Sequence, residues 1–322
     1  MHMIRHFGVG LGAILGLSIA CSSDDGADTG NVDTGNETGT TQASTDETTD
    51  GPMECVGIGG PNAVGADCAS NADCESGLCL IYTDSPLNDD AVCAETPEGC
   101  NTRLTGTVFD FSTRQPVSGE TVRVVAALDA ILNPAGATAV MEGTTGADGR
   151  IDLTSESPLS AAIAVLAIVG GGDNFLTATG VASPVDGGAY PVGVGNHDLW
   201  VVPSATLTEW SEALADDDGV PEMGLPLGQA GGIVGLVRDA GTGEPIAGAT
   251  VASTVDGSNA VVRYLDDTGG FNTDATGDSG IFVIFGAPTT GEVFAATVDG
   301  QQIASQQAGS ANNVIFTLIL RG

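Results

Sequence analysis

The sequence predicts an all-β protein: two tandem β-sandwiches behind a signal peptide, an acidic tether and a small disulfide module. Three observations carry this. First, a stretch occurs twice, 104–122 reading LTGTVFDFSTRQPVSGETV and 233–251 reading IVGLVRDAGTGEPIAGATV, at a constant offset of 129. Second, glycine is high at 48 residues while aromatics are only 4%, which suits many short strands and turns better than helical bundles. Third, the apolar runs after residue 100 are short and either alternate or lie between turn signals.

The chain divides at 1–20, 21–53, 54–100, 101–204, 205–231 and 232–322. At the start, Arg5 precedes an apolar run, Val9 to Ile19, that is too short to span a bilayer and has the form of a signal h-region. Leu17-Ser18-Ile19-Ala20-Cys21 resembles a bacterial lipobox, which implies lipidation of Cys21 and anchoring in the cell envelope, the outer membrane in particular. Ser18-Ile19-Ala20 also fits ordinary signal cleavage, so a freely secreted chain is the alternative. Cysteine arithmetic favours the lipid: seven cysteines are odd, and removing Cys21 leaves six that can pair.

From Ser22 to Pro52 the chain is rich in Thr, Gly, Asp and Ser, with almost no apolar residue to offset its ordering entropy. It reads as a flexible acidic tether; a glycosylated stalk through Thr40, Thr41, Thr48 and Thr49 is the alternative. Cys55, Cys68, Cys74, Cys79, Cys93 and Cys100 then fall within 46 residues, a density that predicts three disulfides in an exported module. Their spacing leaves 15 connectivities open. No C-x-x-C pair or neighbouring histidine suggests zinc.

Strands are expected at 104–109, 121–127, 150–153, 163–169 and 198–202 in the first sandwich. In the second they are expected at 250–255, 261–265, 280–285, 292–298 and 314–320. Asp299-Gly300 predicts a hairpin turn. Between the sandwiches, Thr206-x-x-Glu209 has capping-box form, and Leu207, Trp210 and Leu214 fall on one face of a short helix.

In the repeated stretch, Gly106, Val108, Asp110, Thr113, Pro116, Gly119, Thr121 and Val122 recur as Gly235, Val237, Asp239, Thr242, Pro245, Gly248, Thr250 and Val251. Asp110 and Asp239 are placed to accept backbone N–H groups of a turn, and Gly243 to adopt positive φ. A glycine inside a strand, as at Gly106 and Gly235, marks a bulge or a close backbone approach. These residues resemble the carboxypeptidase regulatory-like domain, a transthyretin-like β-sandwich opening G-x-V-x-D-x-x-T-G-x-P-[VI]-x-G-A-x-V. Asp148-Gly149-Arg150-Ile151 and Asp278-Ser279-Gly280-Ile281-Phe282 match its second landmark. The first copy departs from the pattern with Arg114 in place of the glycine and Glu120 in place of the alanine. The resemblance covers about two thirds of the chain. It implies an accessory, scaffold or binding module and no particular activity.

Charge narrows the function. The formal net charge is −34, there is no lysine, and signal removal takes away Arg5 and no acid. Such a surface disfavours nucleic acid and anionic headgroups, and the missing lysine rules out Lys-Asn isopeptide crosslinks. After processing one histidine is left, His197, with no Ser/Cys-His pairing, nucleophile elbow or phosphate loop. No catalytic residue, metal site or cofactor is therefore expected. Calcium at Asp216 to Asp218, or at Asp274 and Asp278, lacks the EF-hand frame. The sequence reads as a non-enzymatic, lipid-anchored structural or protein-binding module facing the periplasm or the medium, its partner an unknown envelope protein or polysaccharide. A carbohydrate-binding accessory, stacking sugars on Trp200, Trp210, Tyr190 or Tyr264, is the alternative.

Overall fold

Each copy of the repeated stretch folds as strand, Asx-type turn and strand. In the first, Asp110 Oδ1 accepts the N–H groups of Ser112 (2.9 Å) and Thr113 (2.7 Å). In the second, Asp239 Oδ1 accepts those of Gly241 (2.9 Å) and Thr242 (2.7 Å). Gly243 takes φ 74°, and Arg114, at the equivalent position, takes φ 58°. The turn type is therefore shared, although arginine bears the left-handed strain that glycine avoids. A buried threonine closes each unit. Thr145 Oγ1 donates to Val117 O and accepts from Glu120 N, while Thr276 Oγ1 donates to Ile246 O and accepts from Ala249 N.

A computed structural model describes residues 60–68, 71–80, 92–95, 97–98, 101–159, 164–182 and 193–322. The signal segment, the tether, Cys21, Cys55, Cys100 and Tyr190 lie outside the described residues. In the disulfide module β1 (Cys79–Leu80) pairs antiparallel with β2 (Val92–Cys93). Cys68 is bonded to Cys79 and Cys74 to Cys93.

The first sandwich contains β3 (Arg103–Asp110), β4 (Thr121–Ala126), α1 (Ala127–Leu132), β5 (Ala139–Thr144), β6 (Arg150–Thr154), β7 (Val165–Gly171), β8 (Asn174–Ala182) and β9 (Gly193–Pro203). Helix α2 (Ser204–Leu214) follows. The second sandwich contains β10 (Ile233–Arg238), β11 (Thr250–Ser253), β12 (Val261–Leu265), β13 (Phe271–Asn272), β14 (Ile281–Phe285), β15 (Glu292–Val298), β16 (Gln301–Ala308) and β17 (Ile315–Arg321).

The duplication extends to topology. Strand β3 lies between antiparallel β6 and parallel β9, as β10 lies between antiparallel β14 and parallel β17. The facing sheets are β5-β4-β7-β8 and β11-β15-β16. Two strands differ between the copies: β5 pairs with β4, whereas β12 pairs with β14, and the short β13 that pairs with β12 has no counterpart in the first copy. Between the sheets, Leu104, Val122, Ala167 and Leu199 centre the first core, and Ile233, Phe282, Phe294 and Leu318 the second.

Several elements depart from expectation. The strand expected over 121–127 stops at Ala126, and Ala127–Leu132, rich in Ala and Leu, turns helical. Helix α2 begins at Ser204, ahead of the expected Thr206 cap, with Pro203 at its N-cap and no side-chain cap hydrogen bond, and Ser204 N donates to Asp173 O (2.9 Å). Asp299 (φ 49°) and Gly300 (φ 79°) make the β15–β16 turn, both left-handed as a type I′ hairpin requires. The two strand glycines divide the two roles expected of them. The β3–β9 register shifts between Leu104 and Gly106, a bulge, while a Cβ on Gly235 would stand 2.0 Å from the Phe282 ring.

That contact gives a test. Gly235→Val is expected to destabilise the chain by about 1–3 kcal/mol through overpacking. Gly248→Ala, with open space but φ 74°, is expected to cost about 1 kcal/mol of backbone strain alone. Denaturant midpoints at constant m-value would separate the two effects.

Candidate functional site

The most elaborated region is the junction of the sandwiches. Strand β17 runs parallel to β8 through Ile315↔Thr177 and Phe316↔Ala178, so a sheet of one sandwich continues into a sheet of the other. At the seam Thr177, fully buried, donates its hydroxyl to Trp200 O (2.5 Å), and the hydroxyls of Thr179 and Thr317 lie 2.6 Å apart.

Side-chain alternation sends one face of each central strand into its own sandwich and the other into a shared core. From the first sandwich come Phe109, Phe111, Trp200 and Val202. The second supplies Val234, Leu236, Ile281, Val283, Phe285 and Ile315, and Leu207, Trp210 and Leu214 of α2 complete the layer. Trp200 meets Phe109 and Phe111 with ring centroids 5.4 and 5.3 Å apart, and Trp210 meets Phe271 edge-on at 6.0 Å. This is why IVGLVR in β10 and IFVIF in β14 do not alternate: both faces are covered.

A buried charge cluster lies in this layer. Asp198, on β9, accepts hydrogen bonds at Oδ2 from Arg238 of β10 and from Arg321 of β17 (2.5 Å). The side chains of Asp198 and Arg238 are 2% and 1% exposed. Both guanidiniums donate to the same carboxylate oxygen, and such charge-assisted bonds are stronger than neutral ones. A cleft of about 350 Å³ opens beside Asp198 and Arg321, lined also by Thr179, Gly180, Ser305, Gln306 and Thr317.

A second ion pair ties the chain after α2 to β12. Arg263 donates from Nε to Asp217 Oδ2 (2.6 Å) and from Nη2 to Asp217 Oδ1 (2.9 Å), and Gly219 N donates to the same carboxylate (2.8 Å). The Arg263 hydrogen bonds chiefly hold Asp217 down at about 2, and in return Asp217 raises Arg263. Ser211 Oγ donates to Leu207 O and accepts from Leu227 N, fastening the linker to α2.

The structure corrects the sugar-stacking expectation for Trp200, Trp210 and Tyr264; Tyr190 lies outside the described residues. Trp200, Trp210 and Tyr264 are 0%, 7% and 4% exposed, their ring faces filled by core neighbours. Tyr264 accepts from Val251 N (2.7 Å) and donates to Val251 O, and burial pushes its phenol pKa up. His197 sits on β9 opposite Gly106. Asp217 of the acidic triplet is committed to Arg263, and Asp278 N donates to Asp267 Oδ1. Among the described residues, the only set of three or more His, Cys, Asp or Glu ligand atoms that converges is Cys68, Cys74 and Cys93.

Asp198, Arg238 and Arg321 went unnoticed in the sequence. The available signal was an arginine closing each of two apolar strands and an aspartate opening LWVV; which charges meet depends on how two domains register.

No family model matches the chain, and no curated protein matches it. Among solved structures, the shaft pilin SpaA from Lactobacillus rhamnosus GG is similar at 12% identity over 69% of this chain and 97% of that one, with TM-score 0.21. The Bacillus anthracis TIE protein is similar at 10% identity over 69% and 34%, TM-score 0.20. Catechol 1,2-dioxygenase from Pseudomonas arvilla C-1 is similar at 12% identity over 34% and 54%, TM-score 0.21. Likenesses at this level do not extend to function.

Asp198→Ala removes the carboxylate that both guanidiniums share and is expected to cost about 3–5 kcal/mol. Calorimetry should show one cooperative transition for the parent and an earlier, split transition for the variant. The Asp217 pair predicts an acid limit. Its folded pKa, about 2, lies below the ordinary 3.8, so its contribution is complete above that value and is lost as pH falls toward 2. Arg263→Met should flatten the fall in stability between about pH 4 and pH 2, measured by urea unfolding at stepped pH.

Proposed function

We propose that this chain is a non-enzymatic module of the bacterial cell envelope, anchored by lipid on Cys21 and held away from the membrane by its acidic tether. In this reading its two carboxypeptidase regulatory-like sandwiches act as one structural, protein-binding body. The observation that carries the proposal is the junction. The sheet faces that two independent sandwiches would offer to ligands are buried against each other, and the one buried carboxylate there is held by two arginines. An acid or base has to exchange a proton with substrate, and Asp198 is placed to hold domains together instead. What is left outward is an acidic surface around an apolar interior, the form of a spacer or scaffold that engages partners at loops and edges. Lipobox resemblance, odd cysteine count and tether composition support the anchor.

Mass spectrometry of the native chain tests the anchor. A mature N-terminus at Cys21 carrying acyl chains, with Cys21→Ser shifting the protein from the membrane fraction to the soluble one, is the expected result. An unacylated chain cut after Ala20 would replace anchoring with secretion.

A further inference from the structure

The two edges of the sheet β11-β15-β16 are unlike. At β11 the Tyr264 hydroxyl takes both backbone groups of Val251, so the chain closes that edge itself. Strand β16 ends the sheet on the other side. Because Val251 turns its N–H and C=O away from β15, the alternation of an antiparallel ladder settles where the groups of β16 point. Val251 stands opposite Ala296, and Ala296 opposite Ala304. Ala304, Gln306 and Ala308 therefore bond to β15, while Ser305 and Gln307 direct their N–H and C=O groups outward. Among the described residues no hydrogen bond meets these outward groups. Of the other edge strands in the two sandwiches, β5 carries Glu142, β6 carries Arg150 and Asp152, and β13 is two residues long, each a way of blunting an edge. Strand β16 has eight residues and no charge.

Beside this edge lies a slot. A cleft of about 440 Å³ runs between β16 and Ala127 and Ile131 of α1, lined by Leu166, Gly180 and Phe316. It meets the 350 Å³ cleft at Gly180, Gln306 and Thr317, so the groove follows β16 from Ala304 to Gly309. Beyond it, Ile131 and Thr289 also border a cleft of about 730 Å³ that includes Leu132 and Met223, 82% and 90% exposed. No acidic or basic residue lines the 440 Å³ cleft, in a chain of net charge −34.

We propose that this slot is a strand-addition site. It takes one extended segment of another protein, uncharged where it lies in the slot and basic on either side, as a fourth strand of β11-β15-β16. The slot offers a buried charge no counter-charge, which selects a neutral core, and the acidic surface outside draws basic flanks. Ser305 and Gln307 supply the backbone ladder, and alternate side chains of the segment reach Leu166 and Phe316. Helix α1 closes the far side. A single strand fits there, whereas the sheet edge of a second folded copy brings further strands behind it and meets the helix. The inference deepens the protein-binding reading and does not depend on the lipid anchor, so its failure would remove this edge and leave the anchor standing.

The test uses the full chain and a fluorescein-labelled, end-capped peptide of three Thr-Val pairs with a lysine at each end. Saturable one-to-one binding by fluorescence anisotropy is expected, with amide exchange at Ser305 and Gln307 slowed in the complex. Ser305→Pro deletes an outward N–H and should weaken binding by about tenfold or more, whereas Ser305→Ala keeps that group and should bind as the parent does. Methylating alternate backbone nitrogens of the peptide should act as the proline does, and glutamates in place of the lysines should weaken binding at low salt. Should Ser305→Pro fail to fold, the methylated peptides and the exchange measurement on the parent decide. The proposal is overturned if binding does not saturate by about 1 mM peptide. It is equally overturned if the proline variant, the methylated peptides or the glutamate peptide bind as tightly as their parents. Slow exchange at Ser305 and Gln307 in the free chain would also overturn it, since the edge would then already be filled.

Discussion

The parallel pairing of β8 with β17 is the constraint on which the rest of the molecule depends. It places the sheet face bearing Phe109, Trp200 and Val202 against the one bearing Val234, Leu236 and Val283, so neither face meets water. It also fixes where Arg238 and Arg321 reach, and Asp198 answers both. Two domains sharing a sheet and a core move together, because opening them would expose aromatic area and separate a buried charge cluster in the same step.

The arginines show how a strongly acidic chain tolerates its own charge. Arg103 is paired with Asp152, Arg150 with Asp148, Arg263 with Asp217, and Arg238 and Arg321 with Asp198. Arg123 instead donates to the carbonyls of Pro134, Ala135 and Ala137, tying the segment after α1 to β4. Almost every described cation is thus used to tie strands or loops, and the outer surface is left to carboxylates. Mutual repulsion keeps such a surface dispersed and unfavourable to anionic partners.

Much of the fold was legible because turn chemistry is local. Asp110 and Asp239 and the Asp299-Gly300 hairpin are set by residues adjacent in sequence, and the helix face of Leu207, Trp210 and Leu214 by a simple period, whereas the partner that Gly235 makes room for, Phe282, comes from another strand. The junction was illegible for the opposite reason. The solid apolar runs of β10 and β14 announce burial on both faces without naming what covers the second. Trp200 and Trp210 were for the same reason open to reading as sugar platforms, since an aromatic side chain on one strand or one helix looks alike whether water or a neighbouring domain faces it. The disulfide pairing was hidden among many connectivities: Cys79 and Cys93 stand opposite each other across β1–β2, yet each is bonded to a different, earlier cysteine.

The two copies also show how a duplicated sandwich comes to accept a partner domain. In the first, β5 stays with β4, on the sheet away from the junction. In the second, the corresponding β12 crosses to β14, widening the junction-facing sheet to β13-β12-β14-β10-β17. That move carries Val261, Leu265 and Phe271 to the shared core, and puts Arg263 within reach of Asp217 beyond the end of α2. Trp210 then has Phe271 to pack against, and the helix becomes a wedge between domains instead of a loose connection. One strand changing sheets supplies both the apolar seat and the ionic latch for α2. The first copy, lacking that change, presents a narrower face. The asymmetry between the copies is therefore part of what joins them.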